Sequence, residues 1–119
     1  MRIIGFSLRW VKLWQPEFTT FRVPRKDKDW YGGEQVQVVY RPRSKNRNLL
    51  CLAEIIIKET TTFKAITETE AIVDGFSNAF SMWEWLKKAH RGITMDDPLN
   101  KLTLRHIQSD ELAQERKTI

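Results

Sequence analysis

The stretch Leu49 to Glu59 constrains this 119-residue chain more than any other. It reads Leu-Leu-Cys-Leu-Ala and then, past Glu54, Ile55-Ile56-Ile57. β-Branched and apolar residues at this density make it the strongest strand of the sequence, one that suits a long, curved path buried on one face and partly covered on the other. Shorter strands are expected around it. Arg2 to Leu8 is the first, and Phe18 to Val23 follows, ended by Pro24. After the Gly32-Gly33 turn, Glu34 to Tyr40 alternates Val36, Val38 and Tyr40 against Gln35, Gln37 and Val39 until Pro42 stops it. Lys101 to Ile107 reads as a closing strand, with Leu102 and Leu104 facing one way.

Helical character is confined to two places. Arg9 to Trp14 can form a helical turn carrying Trp10 and Trp14 on one side, interrupted by Pro16. From Thr67 the pattern changes again: Thr67 with Glu70 is a capping box, and Gly75 supplies a left-handed residue to end a short helix. Ser77 or Asn78 then caps a second helix, on which Ala79, Met82, Trp83, Leu86 and His90 share a face. The expected fold is α+β: a small mixed, mainly antiparallel β-barrel of about five or six strands, with two or three short helices plugging one opening. Closure would remove the exposed edges of short strands. Residues 1–108 are read as one domain and 109–119 as a polar tail.

A chain of this length hides roughly two-thirds of its unfolded surface, so it needs neither disulfide nor metal. Its single cysteine, Cys51, has no partner within the chain, and His90 and His106 are too far apart in sequence for zinc spacing. No metal and no cofactor are expected. Cys51, between Leu50 and Leu52, reads as a small buried hydrophobe. No segment reaches the roughly 20 apolar residues of a membrane span, and the opening residues are too short and mixed for a signal peptide. A soluble, cytoplasmic monomer is the natural expectation.

Charge is unevenly spread. Between Arg22 and Arg47 eight basic residues (Arg22, Arg25, Lys26, Lys28, Arg41, Arg43, Lys45, Arg47) face three acidic ones, a net +5 that equals that of the whole chain. A localised positive field favours polyanions such as nucleic acid; the plainer reading is a pair of solvated hairpin loops. Trp30, inside the basic loop, is the tryptophan best placed to stack on a base, whereas Trp10, Trp14 and Trp83 have the spacing of packing residues.

Three short segments, in order, carry a resemblance. They are Gln15-Pro16-Glu17-Phe18-Thr19-Thr20-Phe21-Arg22, then Gly33-Glu34 leading into Gln35-Val36-Gln37-Val38, then Asp74-Gly75-Phe76-Ser77 leading into the tryptophan-bearing helix. Together they resemble the ASCH family, whose motif strand Gly-x-Lys-Thr-x-Thr-x-Arg precedes a Gly-Asp turn and later an acidic-Gly-Phe-Ser step. The resemblance spans roughly residues 3–107 and implies a PUA-like barrel that handles RNA or modified nucleosides. In family members similar to the amidohydrolases of N4-acetylcytidine, the motif lysine, the second motif threonine and the acid before Gly-Phe are catalytic. Those positions correspond here to Glu17, Thr20 and Asp74.

The glutamate changes the expected chemistry. Amide hydrolysis needs a nucleophile, a proton carrier and stabilisation of an oxyanion, and a carboxylate at position 17 cannot do what an ammonium does there. Another cation, such as Arg22, Lys26 or Lys28, would have to take its place in space. The leading expectation is therefore binding of RNA or a modified nucleoside in a cleft lined by Thr20, Arg22 and Asp74, with Arg25, Lys26, Lys28, Arg41, Arg43, Lys45 and Arg47 on phosphates and Trp30 on a base. An amidohydrolase of acylated cytidine or a ribonuclease is the alternative, and a protein-interaction domain the next.

Overall fold

The computed structural model describes residues 1–8 and 10–107; the polar tail 109–119 lies outside them. The strands are β1 (Arg2–Phe6), β2 (Glu17–Arg22), β3 (Gln35–Tyr40), β4 (Asn48–Thr62) and β5 (Pro98–His106). They form one mixed sheet in the order β1-β3-β4-β5-β2. Strands β3, β4 and β5 are consecutive antiparallel neighbours, β2 pairs antiparallel with β5, and β1 pairs parallel with β3. The helices are α1 (Glu68–Val73) and α2 (Ala79–Ala89), with 3-10 turns at Val11–Trp14, between β1 and β2, and at Phe63–Ala65, between β4 and α1.

The α+β class and the central antiparallel meander stand, but the expected barrel closure does not. Among the described residues no backbone ladder joins β1 to β2, so the sheet has two ends. It nevertheless curls. The long strand β4 is irregular twice, once where Cys51 and Leu49 face successive residues of β3 and again between Ile55 and Ile57. An extra residue at each place bends the strand and sharpens its twist. Ile4, Phe6, Phe18, Val36, Val38, Ala53, Ile55, Leu102 and Leu104, drawn from all five strands, consequently meet in one core.

Side chains bridge what the backbone leaves open. Phe6 of β1 meets Phe18 of β2 edge to face at 6.3 Å, and the Arg22 guanidinium of β2 donates through Nη2 to the Gly5 carbonyl of β1 at 2.8 Å. A second core, formed by Phe21, Phe63, Ile66, Ala71, Met82, Leu86 and Leu99, seats the helices against the sheet. This is where the α2 face predicted from Met82 and Leu86 is used. His90 differs from that prediction: it caps the helix end and is exposed. Trp14 departs as well, being 60% exposed on its short turn. A 3-10 turn of four residues cannot hold two i, i+4 side chains on one buried face, and only Trp10 turns inward.

The basic loop is folded back on itself. Arg2 grips buried Glu34 with both Nε and Nη2 at 2.6 Å and covers the Trp30 ring at 4.4 Å. Asp29 accepts from Asn100, Lys58 and the backbone N–H groups of Arg25 and Trp30. Burial opposes its ionisation, but these hydrogen bonds hold Asp29 well below the usual carboxylate range.

Candidate functional site

A cleft of about 490 Å³ opens between α2 and the facing ends of β1 and β2. That volume falls in the range of small-molecule sites, about 300–1,000 Å³. Its buried side holds Lys12, Thr20, Arg22 and Asp74.

Asp74 is placed by the end of α1. Thr67 and Glu70 form the predicted capping box at the start of this helix, and Gly75 ends it with φ +115°. Phe76 N–H returns to the Ala71 carbonyl and Gly75 N–H to that of Ile72, a Schellman-type ending. Gly75 has a second role here. A Cβ on it would sit 2.7 Å from the Trp10 ring, so the missing side chain lets Trp10 lie on the turn that carries Asp74. Trp10 brings Lys12 with it, two residues along the same 3-10 turn.

Lys12 Nζ donates to Asp74 Oδ1 at 2.9 Å, and the Thr19 hydroxyl donates to the same oxygen at 3.0 Å. Asp74 Oδ2 accepts no hydrogen bond from the described residues. In the same cleft, Arg22 Nε donates to Thr20 Oγ1 at 3.1 Å while Nη2 holds Gly5, and the guanidinium lies 4.6 Å from the Phe6 ring. Successive threonines point to opposite faces of a strand, which is why Thr19 reaches the acid and Thr20 reaches the arginine. Unspent capacity remains: two N–H of Lys12, Nη1 of Arg22, the proton of Thr20 and one oxygen of Asp74.

Burial dominates the electrostatics. It lowers the Lys12 pKa and raises that of Asp74 in spite of their mutual attraction, and it brings Arg22 down to about 10, partly offset by the Asp74 charge. A row of aromatic rings walls the cleft: Trp10 packs on Phe76 at 5.1 Å and on Trp85 at 5.6 Å.

Of the residues nominated from sequence, Thr20, Arg22 and Asp74 therefore come together. Glu17 does not join them. It starts β2 as an exposed residue and lines a neighbouring groove of about 730 Å³ with Leu8, Val11, Ile72 and Val73. The cation beside Asp74 is Lys12, which was not nominated, because a single lysine between two tryptophans gives no motif. Its one signal was a charge set in an otherwise apolar turn. Lys26 and Lys28 are exposed in their loop and do not line the cleft.

The other nominated residues are scattered. Trp30 is only 5% exposed, beneath Arg2 and Arg25, and has no open face for a base. Arg25 is spent on Asp27. Arg41, Arg43, Lys45 and Arg47 are exposed on the β3–β4 turn, and of these Arg43 lines the cleft. Cys51 is half-buried, with its thiol pushed up to about 11 by burial. His106 Nε2 is 2.8 Å from the Leu13 carbonyl and 3.7 Å from the Cys51 sulfur. A carbonyl only accepts, so that nitrogen carries a proton and is no base for the thiol.

Among the described residues no His, Cys, Asp or Glu cluster could hold a metal ion, and no helix is long and apolar enough to cross a membrane. Comparison of the chain with known proteins found no matching family model, no matching curated protein and no matching solved structure.

Proposed function

We propose that this chain binds RNA or a modified nucleoside, taking one base into the cleft. The observation that carries this reading is the convergence of Lys12, Thr20, Arg22 and Asp74. A heterocyclic base offers carbonyl and ring-nitrogen acceptors beside N–H donors. Lys12, Arg22 and Thr20 supply the donors that such acceptors need, and Asp74 Oδ2 supplies an acceptor for an N–H. The rings of Phe76 and Trp85 provide an apolar wall against which a base is desolvated. The PUA-like affiliation and the role in RNA handling that the ASCH resemblance implies belong to the same proposal. Titration of single-stranded and structured RNA, and of nucleosides, at low salt tests it. Binding that weakens in Asp74→Asn and Arg22→Gln supports the reading, and no binding of any of these ligands removes it.

Hydrolysis of an acylated cytidine is the second reading, favoured by one observation: a buried lysine, Lys12, is paired with Asp74, and would supply the cation that position 17 lacks. Thr20 would add its oxygen to the acyl carbon while its proton passes to a base such as Asp74, Lys12 and Arg22 would stabilise the oxyanion, and on its collapse the C–N bond breaks and the amine leaves with the proton returned from Asp74. Water then releases the acyl group from Thr20. Incubation with N4-acetylcytidine decides this. Turnover that survives Thr20→Ala would overturn the assignment of roles.

A further inference from the structure

We infer that the mouth of the cleft is a phosphate subsite formed by Arg43 and His90, so that the ligand is a phosphorylated nucleotide unit and not a bare nucleoside. The inference rests on the nucleoside reading of the cleft and adds to it the class of group that lies outside the base.

Among the described residues three cations line this cleft: Lys12, Arg22 and Arg43. The first two are engaged within the fold, Lys12 by Asp74 and Arg22 by Thr20 and Gly5. Arg43 is exposed and, among the described residues, pairs with no carboxylate. It is also the one cation of the β3–β4 turn whose position is shared with the cleft. The C-terminal end of α2 lines the same cleft through Leu86, Ala89 and His90, and His90 adds a second hydrogen-bonding side chain to that lining.

The turn that carries Arg43 is built to stay in place. Arg41 N–H donates to the Phe6 carbonyl at 2.9 Å, and Ser44 N–H closes the turn on the Arg41 carbonyl. Arg41 itself takes φ 52°, a left-handed conformation unusual for a residue with a side chain. Pro42 is pressed onto Gly5, where an added Cβ would overlap the proline ring. These contacts fix the backbone of Arg43 to β1, at the rim of the cleft. A guanidinium carried on this fixed backbone, with its own N–H groups facing solvent, can offer a phosphate two parallel N–H donors.

The acid distribution agrees. Among the described residues the single carboxylate of the cleft is Asp74, buried and already facing Lys12 and Thr19. No other carboxylate of the described residues lines it. A phosphate there would meet the Arg43 cation and the His90 imidazole, while the neutral base lies inward on the polar cluster. The phosphate could be a terminal monoester or a diester of an RNA strand, since both present the same oxygens.

The test is a calorimetric titration at low salt of the intact chain with the four ribonucleosides, their 5′-monophosphates and a mixed-sequence single-stranded RNA pentamer. The expected result is that the best-bound base binds about ten-fold more tightly as its monophosphate than as its nucleoside. Arg43→Ala and Arg43→Gln should each remove that margin and leave nucleoside affinity unchanged, and His90→Ala should reduce it. Lys88→Ala, which deletes an equal charge from α2 outside the cleft, should leave the margin intact. A pentamer that loses affinity in the Arg43 variants assigns the subsite to a diester; a pentamer that does not assigns it to the terminal monoester. Equal affinity for nucleoside and monophosphate would overturn the subsite while leaving the nucleoside reading in place. So would a margin lost equally in Lys88→Ala, which would mean a diffuse field. Failure of every ligand to bind overturns both.

Discussion

Lys12 Nζ lies 2.9 Å from Asp74 Oδ1 across 62 residues of chain, and both side chains are more than nine-tenths buried. Each charge is tolerable there only because the other is present. Lys12→Ala or Asp74→Ala is therefore expected to destabilise the fold by about 3–5 kcal/mol, since one charge is left buried and alone. Lys12→Met with Asp74→Leu should cost far less than the two single changes combined. Urea unfolding of the three variants measures this, and additive losses would show that the pair is not coupled.

The same pair sets a pH dependence. Burial raises the Asp74 pKa, so as pH climbs through the usual carboxylate range the unfolded chain releases this proton first, and stability contributed by Asp74 is lost. Burial lowers the Lys12 pKa, so the folded chain releases that proton first as pH approaches the usual lysine value, and stability is regained. The unfolding free energy of the double Met/Leu variant relative to the parent should be most favourable near neutral pH and fall off toward both limits. A difference that does not change with pH would contradict the linkage.

Arg22 substitutes for the missing backbone ladder between β1 and β2. Lysine at this position cannot hold Thr20 and Gly5 together, so Arg22→Lys should cost about 1–2 kcal/mol. Amide hydrogen exchange should accelerate first along β1. Unchanged protection of β1 would mean that Phe6 and Phe18 suffice to hold the two edges.

Gly75→Ala tests the contact that brings Lys12 to Asp74. The new methyl group meets the Trp10 ring at 2.7 Å in a backbone conformation with φ +115°, and a loss of about 1–3 kcal/mol is expected. Trp10 must move, so ligand affinity should fall with stability and the tryptophan fluorescence should shift. Gly75→Asn, which adopts left-handed geometry more easily, should lose less through strain yet disturb Trp10 as much.

Asp29 gathers the basic loop. Its folded carboxylate titrates below the usual range, so the stability it contributes is present above that range and is lost as pH falls through it. Asp29→Ala should cost about 1–3 kcal/mol by leaving buried Asn100 without its partner, and it should weaken the acid-induced loss expected of the parent. Circular dichroism between pH 7 and pH 2 measures both effects.

What could be read from residue order alone was whatever depends on near neighbours. The five strands follow from alternation and β-branching, and the Thr67-Glu70 capping box, the Gly75 ending and the Asn78 cap follow from side chains that reach three residues along the backbone. Thr20, Arg22 and Asp74 were nominated through motif order, which records the sequence of elements and not their contacts. Three matters were decided only by tertiary structure. The sheet curls without closing, because two irregularities in β4 bend it and side chains, not backbone, span the gap between β1 and β2. Trp30 is withdrawn from the surface by Arg2, a residue 28 positions earlier. The cation at Asp74 is Lys12 and not the residue at the motif position, because a buried carboxylate takes the nearest cation in space. That nearness depends on Trp10 resting on a glycine 65 residues away, a contact that no local pattern encodes.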